Sequence, residues 1–152
     1  MTGAGETRSF GPDPSGALRI WRRPGKGMFI GRSVRVTVVD CTRSTCRLAV
    51  EAPLSVVVTG PDKTLEQHLA TQLDRDVRKQ EDDPKDLATV VLMLGESARI
   101  GREATITYVG EESGRRASLS VEAPLNVAVT RDDYTFDEHI RTQERREKGG
   151  RR

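Results

Sequence analysis

The sequence is poor in three features that many folds and functions require. Aromatic residues make up 4% of the 152 residues, cysteine occurs only twice, and long apolar runs are absent. Two cysteines cannot build a disulfide framework, so we expect a reducing, cytoplasmic setting. A membrane-spanning helix needs about 18 consecutive apolar residues, so none is expected. Residues 1–16 also lack the apolar segment of a signal peptide.

The low apolar content limits the core that a small unit could bury by itself. Hydrophobic residues make up 35% of the chain and charged residues 32%. Because a unit of roughly 60 residues is only marginally stable alone, two such halves should share one core. The net charge of +2 and the pI of about 8.7 are compatible with RNA binding but do not require it.

An internal duplication runs through most of the chain. Residues 50–59 read VEAPLSVVVT and residues 121–130 read VEAPLNVAVT, so two of these ten positions differ. The tripeptide IGR at 30–32 recurs at 100–102, and LEQHL at 65–69 recurs as FDEHI at 136–140. We therefore predict a flexible N-terminal tail (1–16), a first repeat with a linker helix (17–83), a second repeat (84–146) and a basic C-terminal tail (147–152).

Short segments in each repeat show the two-residue alternation or the β-branched content of strands. Strands are predicted at 17–22, 33–39, 47–50 and 56–59 in the first repeat, and at 87–92, 103–109, 118–121 and 127–130 in the second. The interval after residue 59 leaves room for a helix of about 18 residues.

A helix is predicted after the last strand of each repeat. In the first repeat four apolar residues recur at four-residue steps and form one narrow stripe: Leu65, Leu69, Leu73 and Val77. Pro84 ends this helix. In the second repeat Phe136 and Ile140 begin a similar stripe, which fades into an arginine-rich segment that we expect to be frayed.

The same ordered set of short motifs occurs in both repeats. The first repeat has LRIWRRPG at 18–25, IG at 30–31, the alternating strand at 34–38, AP at 52–53 and VVV at 56–58. The second has GESARIG at 95–101, AP at 123–124 and VAVTR at 127–131. In this order the motifs resemble the bacterial carbon storage regulator (CsrA/RsmA) family. The resemblance covers about residues 17–73 and 87–145.

The resemblance implies a mainly β fold with short helices (α+β). Family proteins are homodimers of a short chain with five strands and a helix. Here the two five-stranded units would interleave into one pseudo-dimeric β core, each unit followed by a helix, and the chain would be a monomer. In this arrangement the two halves would share one hydrophobic core, which neither half has enough apolar residues to build alone.

The resemblance also implies a function. Family members regulate translation by binding GGA-type motifs in mRNA leaders or small RNAs, without a cofactor or a membrane, and a protein antagonist is a further expected partner. Their site combines the first strand of one unit with the fifth strand of the other. Carried over, the RNA-binding residues are Ile20, Trp21, Arg22, Arg23, Val129, Thr130 and Arg131. Arginine suits this role because its planar fork matches a guanine edge and its charge attracts phosphate.

The second composite surface has lost the corresponding side chains. Leu92 and Met93 stand where the first repeat has Arg22 and Arg23, and Gly60 stands where the second has Arg131. The degenerate site would consist of Val91, Leu92, Met93, Thr59 and Gly60. We therefore expect one working RNA site and one degenerate site.

Other interpretations of these residues stay open. Arg22 and Arg23 are also typical of edge strands, where charge prevents aggregation, and Arg131 is followed by two carboxylates with which it can pair. Trp21 either stacks on a base or covers the sheet. The alternative function is a protein-interaction or sequestering module derived from an RNA binder, with an apolar patch at residues 91–93.

An enzyme is not expected. The chain has no plausible Ser/His/Asp set, no paired-carboxylate motif and no cofactor loop. Cys41 and Cys46 flank a four-residue turn and are too few for a metal site, so free thiols are predicted. His68 and His139 occupy equivalent helix positions and are predicted to be packed or solvent-facing.

Overall fold

The computed structural model describes residues 17–78, 83–102, 104–112 and 115–149. Over these residues the chain is mainly β with two short helices, which confirms the predicted class. The elements in chain order are β1 (Leu18–Arg22), β2 (Gly27–Ile30), β3 (Val34–Cys41), β4 (Thr45–Pro53), β5 (Val58–Thr59), α1 (Leu65–Val77), β6 (Lys85–Met93), β7 (Ser97–Ile100), β8 (Ala104–Glu112), β9 (Arg116–Glu122), β10 (Val129–Arg131) and α2 (Phe136–Gly149).

The strands form two antiparallel sheets of five strands each. The first sheet has the order β1-β9-β8-β7-β5, and the second has the order β10-β2-β3-β4-β6. Each sheet therefore takes three consecutive strands from one repeat and its two edge strands from the other. β1 pairs along its whole length with β9, from Leu18 opposite Val121 to Arg22 opposite Ala117. β10 pairs with β2, with Arg131 opposite Met28.

One hydrophobic core lies between the buried faces of the two sheets. Alternate residues of the central strands point inward, as the period of two requires. The largest fully buried apolar side chains come from both repeats: Ile20, Met28, Ile30, Leu48, Leu92, Ile100, Ile106, Tyr108 and Leu119. Because both repeats supply this cluster, neither half can bury its own apolar faces alone.

Helix α1 begins at a recognisable capping signal. Thr64 caps it, and a reciprocal capping box joins Thr64 to Gln67. The helix has 13 residues, fewer than the interval allows, because residues 61–63 form a turn before the cap. It connects β5 of the first sheet to β6 of the second.

The two helices are held to the sheets by polar side chains, and the contacts are equivalent in the two repeats. Gln72 accepts a hydrogen bond from the amide of Val57 at 2.8 Å and donates one to the carbonyl of Ser55 at 2.7 Å. Gln143 makes the same pair of bonds in the second repeat, with Ala128 and Asn126. The apolar stripe predicted on α1 lies beside these docked residues and is largely exposed.

The chain ends differ in part from the prediction. Helix α2 continues to Gly149, because Arg32 donates two hydrogen bonds to Glu147 near its last turn. The basic tail predicted from residue 147 therefore starts within a helix, and residues 150–152 lie outside the described residues, as does the N-terminal tail 1–16. No helix in the described ranges is long and apolar enough to cross a membrane.

The exchange of edge strands predicts that both repeats unfold together. Leu48→Ala in the first repeat and Leu119→Ala in the second should each lower the free energy of unfolding by about 2–5 kcal/mol, since both side chains are fully buried. Leu87→Ala is the control, because Leu87 is exposed and its loss should cost less than about 0.5 kcal/mol. Urea unfolding followed by circular dichroism should show one transition that shifts as a whole. Two separate transitions, each sensitive to only one variant, would contradict shared folding.

Candidate nucleic-acid interface

The ends of β1 and β10 meet where an edge of the first sheet approaches an edge of the second. The Arg22 guanidinium, at the end of β1, donates to Asp132 at 2.9 Å and to Asp133 at 3.1 Å. Both carboxylates follow directly after β10, and they lie 110 and 111 residues further along the chain. The two segments predicted to form one site are therefore adjacent. We call this region, residues 21–27 with 129–133, the composite face.

Asp133 joins the two predicted arginines. It accepts hydrogen bonds from Arg22 and from Arg131, which comes two residues before it. Burial raises the pKa of the Asp133 carboxyl, but the hydrogen bonds and charges of Arg131 and Arg22 outweigh burial and bring the pKa below its usual range. The carboxylate is therefore ionised at neutral pH and holds Arg131 in one orientation.

Asp132 fastens the same loop to the start of β2. It accepts from the backbone amide of Gly27 at 2.9 Å and from Arg35 at 3.3 Å. Gly27 is required here, because a Cβ atom at this position would lie 1.8 Å from the carbonyl oxygen of Val36. The close approach of backbone to backbone thus leaves the Gly27 amide directed at Asp132.

The structure corrects the role predicted for Arg22. Its side chain is only 6% exposed and is held between two carboxylates, so it cannot reach RNA from the free protein surface. The reason lies in the strand period: Ile20 and Arg22 share the inward face of β1. A charge on that face is tolerated because Asp132 and Asp133 neutralise it.

Three more of the predicted RNA-binding side chains are also buried. Ile20 lies in the core, and Val129 and Thr130 are almost fully covered. The Thr130 hydroxyl is 2.7 Å from Nδ1 of His139, whose Nε2 donates to the carbonyl of Gly31 at 2.5 Å. These three side chains are therefore covered in the free protein, and the contact of these residues with RNA stays a prediction.

The rest of the composite face and the neighbouring strand β3 present accessible basic side chains. Arg23 and Lys26 in the β1–β2 turn are exposed, Arg131 is partly exposed, and Arg35 lies half-exposed over the Phe29 ring. Trp21 stands opposite Ser118 on the outer side of the first sheet and is partly accessible. There are more of these basic side chains than accessible carboxylates beside them. Asp133 is already paired with Arg131, and Asp132 with Arg35.

The opposite face, residues 59–62 with 91–93, has the same framework without the arginines. Gly60 approaches Val90, and a hollow of about 370 Å³ lies between the end of β5 and β6. Leu92 occupies the position equivalent to Arg22 and is fully buried opposite Cys46, so its predicted place in an exposed apolar patch is wrong. Val91 and Met93 are exposed. The Thr59 hydroxyl forms a hydrogen bond with Nδ1 of His68.

The cysteines and histidines have structural surroundings. Cys41 and Cys46 are directly opposite one another on β3 and β4, both buried and both free thiols. Burial raises the pKa of Cys46 to about 12, which makes its thiolate scarce at neutral pH. Within the described residues no group of three or more potential ligands could hold a metal ion. His68 and His139 are packed, in line with one of the two predicted alternatives.

Sequence reasoning missed the polar network that holds the helices. The signal was present, because in both repeats a threonine, a histidine nine residues later and a glutamine four residues after that recur in register. Conserved spacing of polar residues within a duplication indicates a shared contact. The carboxylate pair at Asp132 and Asp133 was visible in the sequence, but its partner Arg22 lies more than 100 residues away.

Comparison of the chain with protein-family models, with curated proteins and with solved structures gives no match.

The buried imidazole of His139 predicts a loss of stability in mild acid. Burial lowers the pKa of His139, and the hydrogen bond to the Gly31 carbonyl only partly offsets this effect. The unfolded chain takes up a proton near pH 6.5 while the folded chain does not, so the free energy of unfolding should fall as pH decreases below about 6.5. The slope from this one group is below about 1.4 kcal/mol per pH unit, the value for uptake of one whole proton.

His139→Gln should reduce this slope, because glutamine does not titrate. Urea unfolding between pH 7 and pH 5 measures the slope, and the comparison concerns slopes rather than absolute stabilities. The acidic groups with lowered pKa values, Asp133, Glu138 and Glu147, titrate at lower pH and do not account for a slope above pH 5. Equal slopes for the variant and the wild type would rule out His139 as the source.

Proposed function

We propose that this chain is an RNA-binding translational regulator that recognises GGA-type motifs in mRNA leaders or small RNAs through one composite face. One observation carries the proposal: Arg22 of the first repeat and Arg131 of the second are bound to the same carboxylate, Asp133. A surface assembled from the first strand of one repeat and the fifth strand of the other is what the resemblance to the carbon storage regulator family implies.

The sheet topology supports the family interpretation. In both sheets the central strands of one repeat lie between the first and fifth strands of the other. We interpret this exchange as the pseudo-dimeric form of the family's interleaved dimer, joined in one chain by α1. The duplication explains why a single chain of 152 residues suffices.

The different burial of the arginines indicates a different role for each of them. Arg131 carries a partly exposed fork with donors beyond those bound to Asp133, so it is suited to reading a guanine edge. Arg23 and Lys26 are exposed on the neighbouring turn and suited to phosphate. Arg22 is a positioning residue, which acts by fixing Asp133 and through it Arg131.

Trp21 adds a flat surface on the outer side of β1, next in sequence to Arg22. A partly accessible indole on an edge strand can stack on an unpaired base, and such stacking contributes about 1–3 kcal/mol per base. Single-stranded loops present bases in the required unstacked form. The face thus combines stacking, phosphate attraction and guanine recognition, and it needs no cofactor or catalytic group.

A protein-interaction module is the second candidate, and specific observations favour it. Arg22 is enclosed in ion pairs instead of facing solvent, while Val91 and Met93 are exposed on the opposite face. A derived binder that had lost RNA could use such a surface for a protein partner. The two candidates differ in whether RNA affinity depends on the composite face.

Titration of a hairpin RNA with GGA in its loop, at several salt concentrations, tests the proposed site. Arg131→Ala should cost about 1–3 kcal/mol and remove the preference for GGA over an AAA loop. Arg23→Ala should weaken both RNAs alike and lower the salt slope by about 0.7, as expected for one lost phosphate contact on a single strand. Arg22→Ala should weaken binding with an unchanged salt slope, because Arg22 touches no phosphate.

Arg47→Ala is the matched control for these variants. Arg47 is half-exposed on β4 beside β6, toward the opposite face, so its loss changes the net charge equally without touching the composite face. If wild type fails to bind, or if Arg47→Ala weakens binding as much as Arg131→Ala, the RNA site is wrong and the protein-interaction function replaces it.

Restoring arginines on the opposite face should create a second site. Met93 is exposed, and a side chain at Gly60 would meet Val90 only at ordinary contact distance, so Gly60→Arg with Met93→Arg should fold. Asp62 stands two residues after position 60, as Asp133 does after Arg131. Isothermal titration calorimetry should show one RNA per chain for wild type and a second, weaker site for the variant. A stoichiometry fixed at one would show that the opposite face lacks more than its arginines.

A further inference from the structure

A hollow of about 600 Å³ lies beside the first turns of α1, at the turn between β7 and β8. Its apolar lining comes from both repeats: Leu65, Leu69, Ala104, Ala123, Pro124 and Leu125. Arg99, Arg102, Thr105 and Glu122 add polar groups to its walls. A concave, mostly apolar space with a few polar groups is the usual form of a small-molecule site.

The equivalent place beside α2 is filled by an aromatic ring of the chain itself. Phe29, which matches Arg99, packs edge-on against Phe136 with ring centroids 5.5 Å apart, and its centroid is 5.4 Å from that of His139. His68 matches His139 and forms the same two hydrogen bonds, with a threonine hydroxyl at 2.8 Å and a glycine carbonyl at 2.7 Å. The frame that holds a ring beside α2 is therefore kept beside α1, without the ring.

Smaller side chains open the place beside α1. Leu65 stands where α2 has Phe136, Ala104 matches Val34, and Thr105 matches Arg35, whose guanidinium lies over the Phe29 ring. The segment that closes the hollow from β9 is the same on both sides, because residues 122–125 and 51–54 both read EAPL. The hollow thus results from the loss of one ring and of the side-chain atoms around it.

Arg99 keeps a cation at the edge of this space. Its side chain is half-buried, and Nη1 donates a hydrogen bond to the carbonyl of Lys63 at 3.1 Å, just before α1. Among the described residues Arg99 forms no ion pair, and a guanidinium has five N–H donors, so most of them are available to a carboxylate. Arg102, on the same wall, is instead paired with Asp76 at 2.5 Å.

Glu122 lies at the other end of the same row of residues. Arg99 is opposite Thr105, and Thr105 is opposite Glu122, so two strand spacings of together about 10 Å separate the backbones of Arg99 and Glu122. Glu122 is exposed to water, which screens its charge more than that of the half-buried Arg99. The hollow therefore favours an anionic group at the Arg99 end and disfavours one at the Glu122 end.

We propose that this hollow binds a small aromatic monocarboxylic acid. The ring lies against Leu65 and the buried His68, in the position that the Phe29 ring has beside α2, and the carboxylate pairs with the guanidinium of Arg99. Thr105 is directly opposite Arg99 on the same side of the sheet, so its hydroxyl is placed to donate to the second carboxylate oxygen. None of these residues belongs to the composite face, so the site is separate from the proposed RNA site.

Three ligands that share a phenyl ring and differ in charge test the site: phenylacetate, 2-phenylethanol and phenethylamine. Methyl NMR spectra of the whole chain, recorded during each titration, report on Leu65, Leu69 and Ala104. Phenylacetate should shift these methyl signals with a dissociation constant on the order of 1 mM, as expected for about ten non-hydrogen atoms. The neutral alcohol should bind about tenfold more weakly, since it lacks the charge-assisted hydrogen bonds, and the amine should not bind.

Two variants separate the charge from the space. Arg99→Gln should weaken phenylacetate about tenfold and leave the affinity for 2-phenylethanol unchanged. Leu65→Phe with Arg99→Phe gives the hollow the two rings that the α2 side already has, so this variant should fold and bind neither ligand. Arg47→Gln is the matched control, because Arg47 lies on β4 of the second sheet and its loss changes the net charge equally.

The proposal is overturned if phenylacetate causes no saturable shift of the three methyl groups at concentrations up to about ten times the expected dissociation constant. It is also overturned if phenethylamine binds best, which would assign the site to Glu122 and a cation. Equal affinity of wild type and the doubly substituted variant would place the ligand elsewhere on the chain. RNA affinity should be the same in all these variants, so failure of the RNA site is distinguishable from failure of this one.

Discussion

The hydrogen-bonded pairing of edge strands with the other repeat governs most of what this molecule presents at its surface. β1 completes the first sheet against β9, and β10 completes the second against β2. Without this exchange, each repeat would leave its first and fifth strands unpaired and its share of the core exposed. The same pairing brings the end of β1 to the loop after β10, where Arg22 meets Asp132 and Asp133.

The duplication has kept its internal contacts and changed its outer ones. The histidine and glutamine bonds that hold each helix are equivalent, as are the ion pairs of Arg32 with Glu147 and of Arg102 with Asp76. Residues facing solvent diverge, both between the composite face and the opposite face and between the two helices. Each repeat thereby keeps the same fold. The composite face and the opposite face differ, although two identical repeats would have made them the same.

Four of the five strands in each repeat could be predicted from the sequence, but β2, β7 and several contacts between strands could not. Alternation and the repeated motifs locate strands such as β1 and β3 to within about two residues, since side-chain period is a local property. Burial of Arg22 depends on carboxylates more than 100 residues away, which only the fold brings near. The α1 stripe was visible, but an amphipathic period cannot show which face docks when the docking residues are polar, as Gln72 is.

The proposed function requires that the composite face bind RNA and that the opposite face not bind it. Amide and indole NMR spectra recorded while a GGA hairpin is added test this directly, because each face reports separately. We expect shifts at the Trp21 indole and the amides of residues 22–27 and 129–133, with residues 59–62 and 91–93 unchanged. Shifts confined to the second set, or equal shifts at both faces, would contradict it.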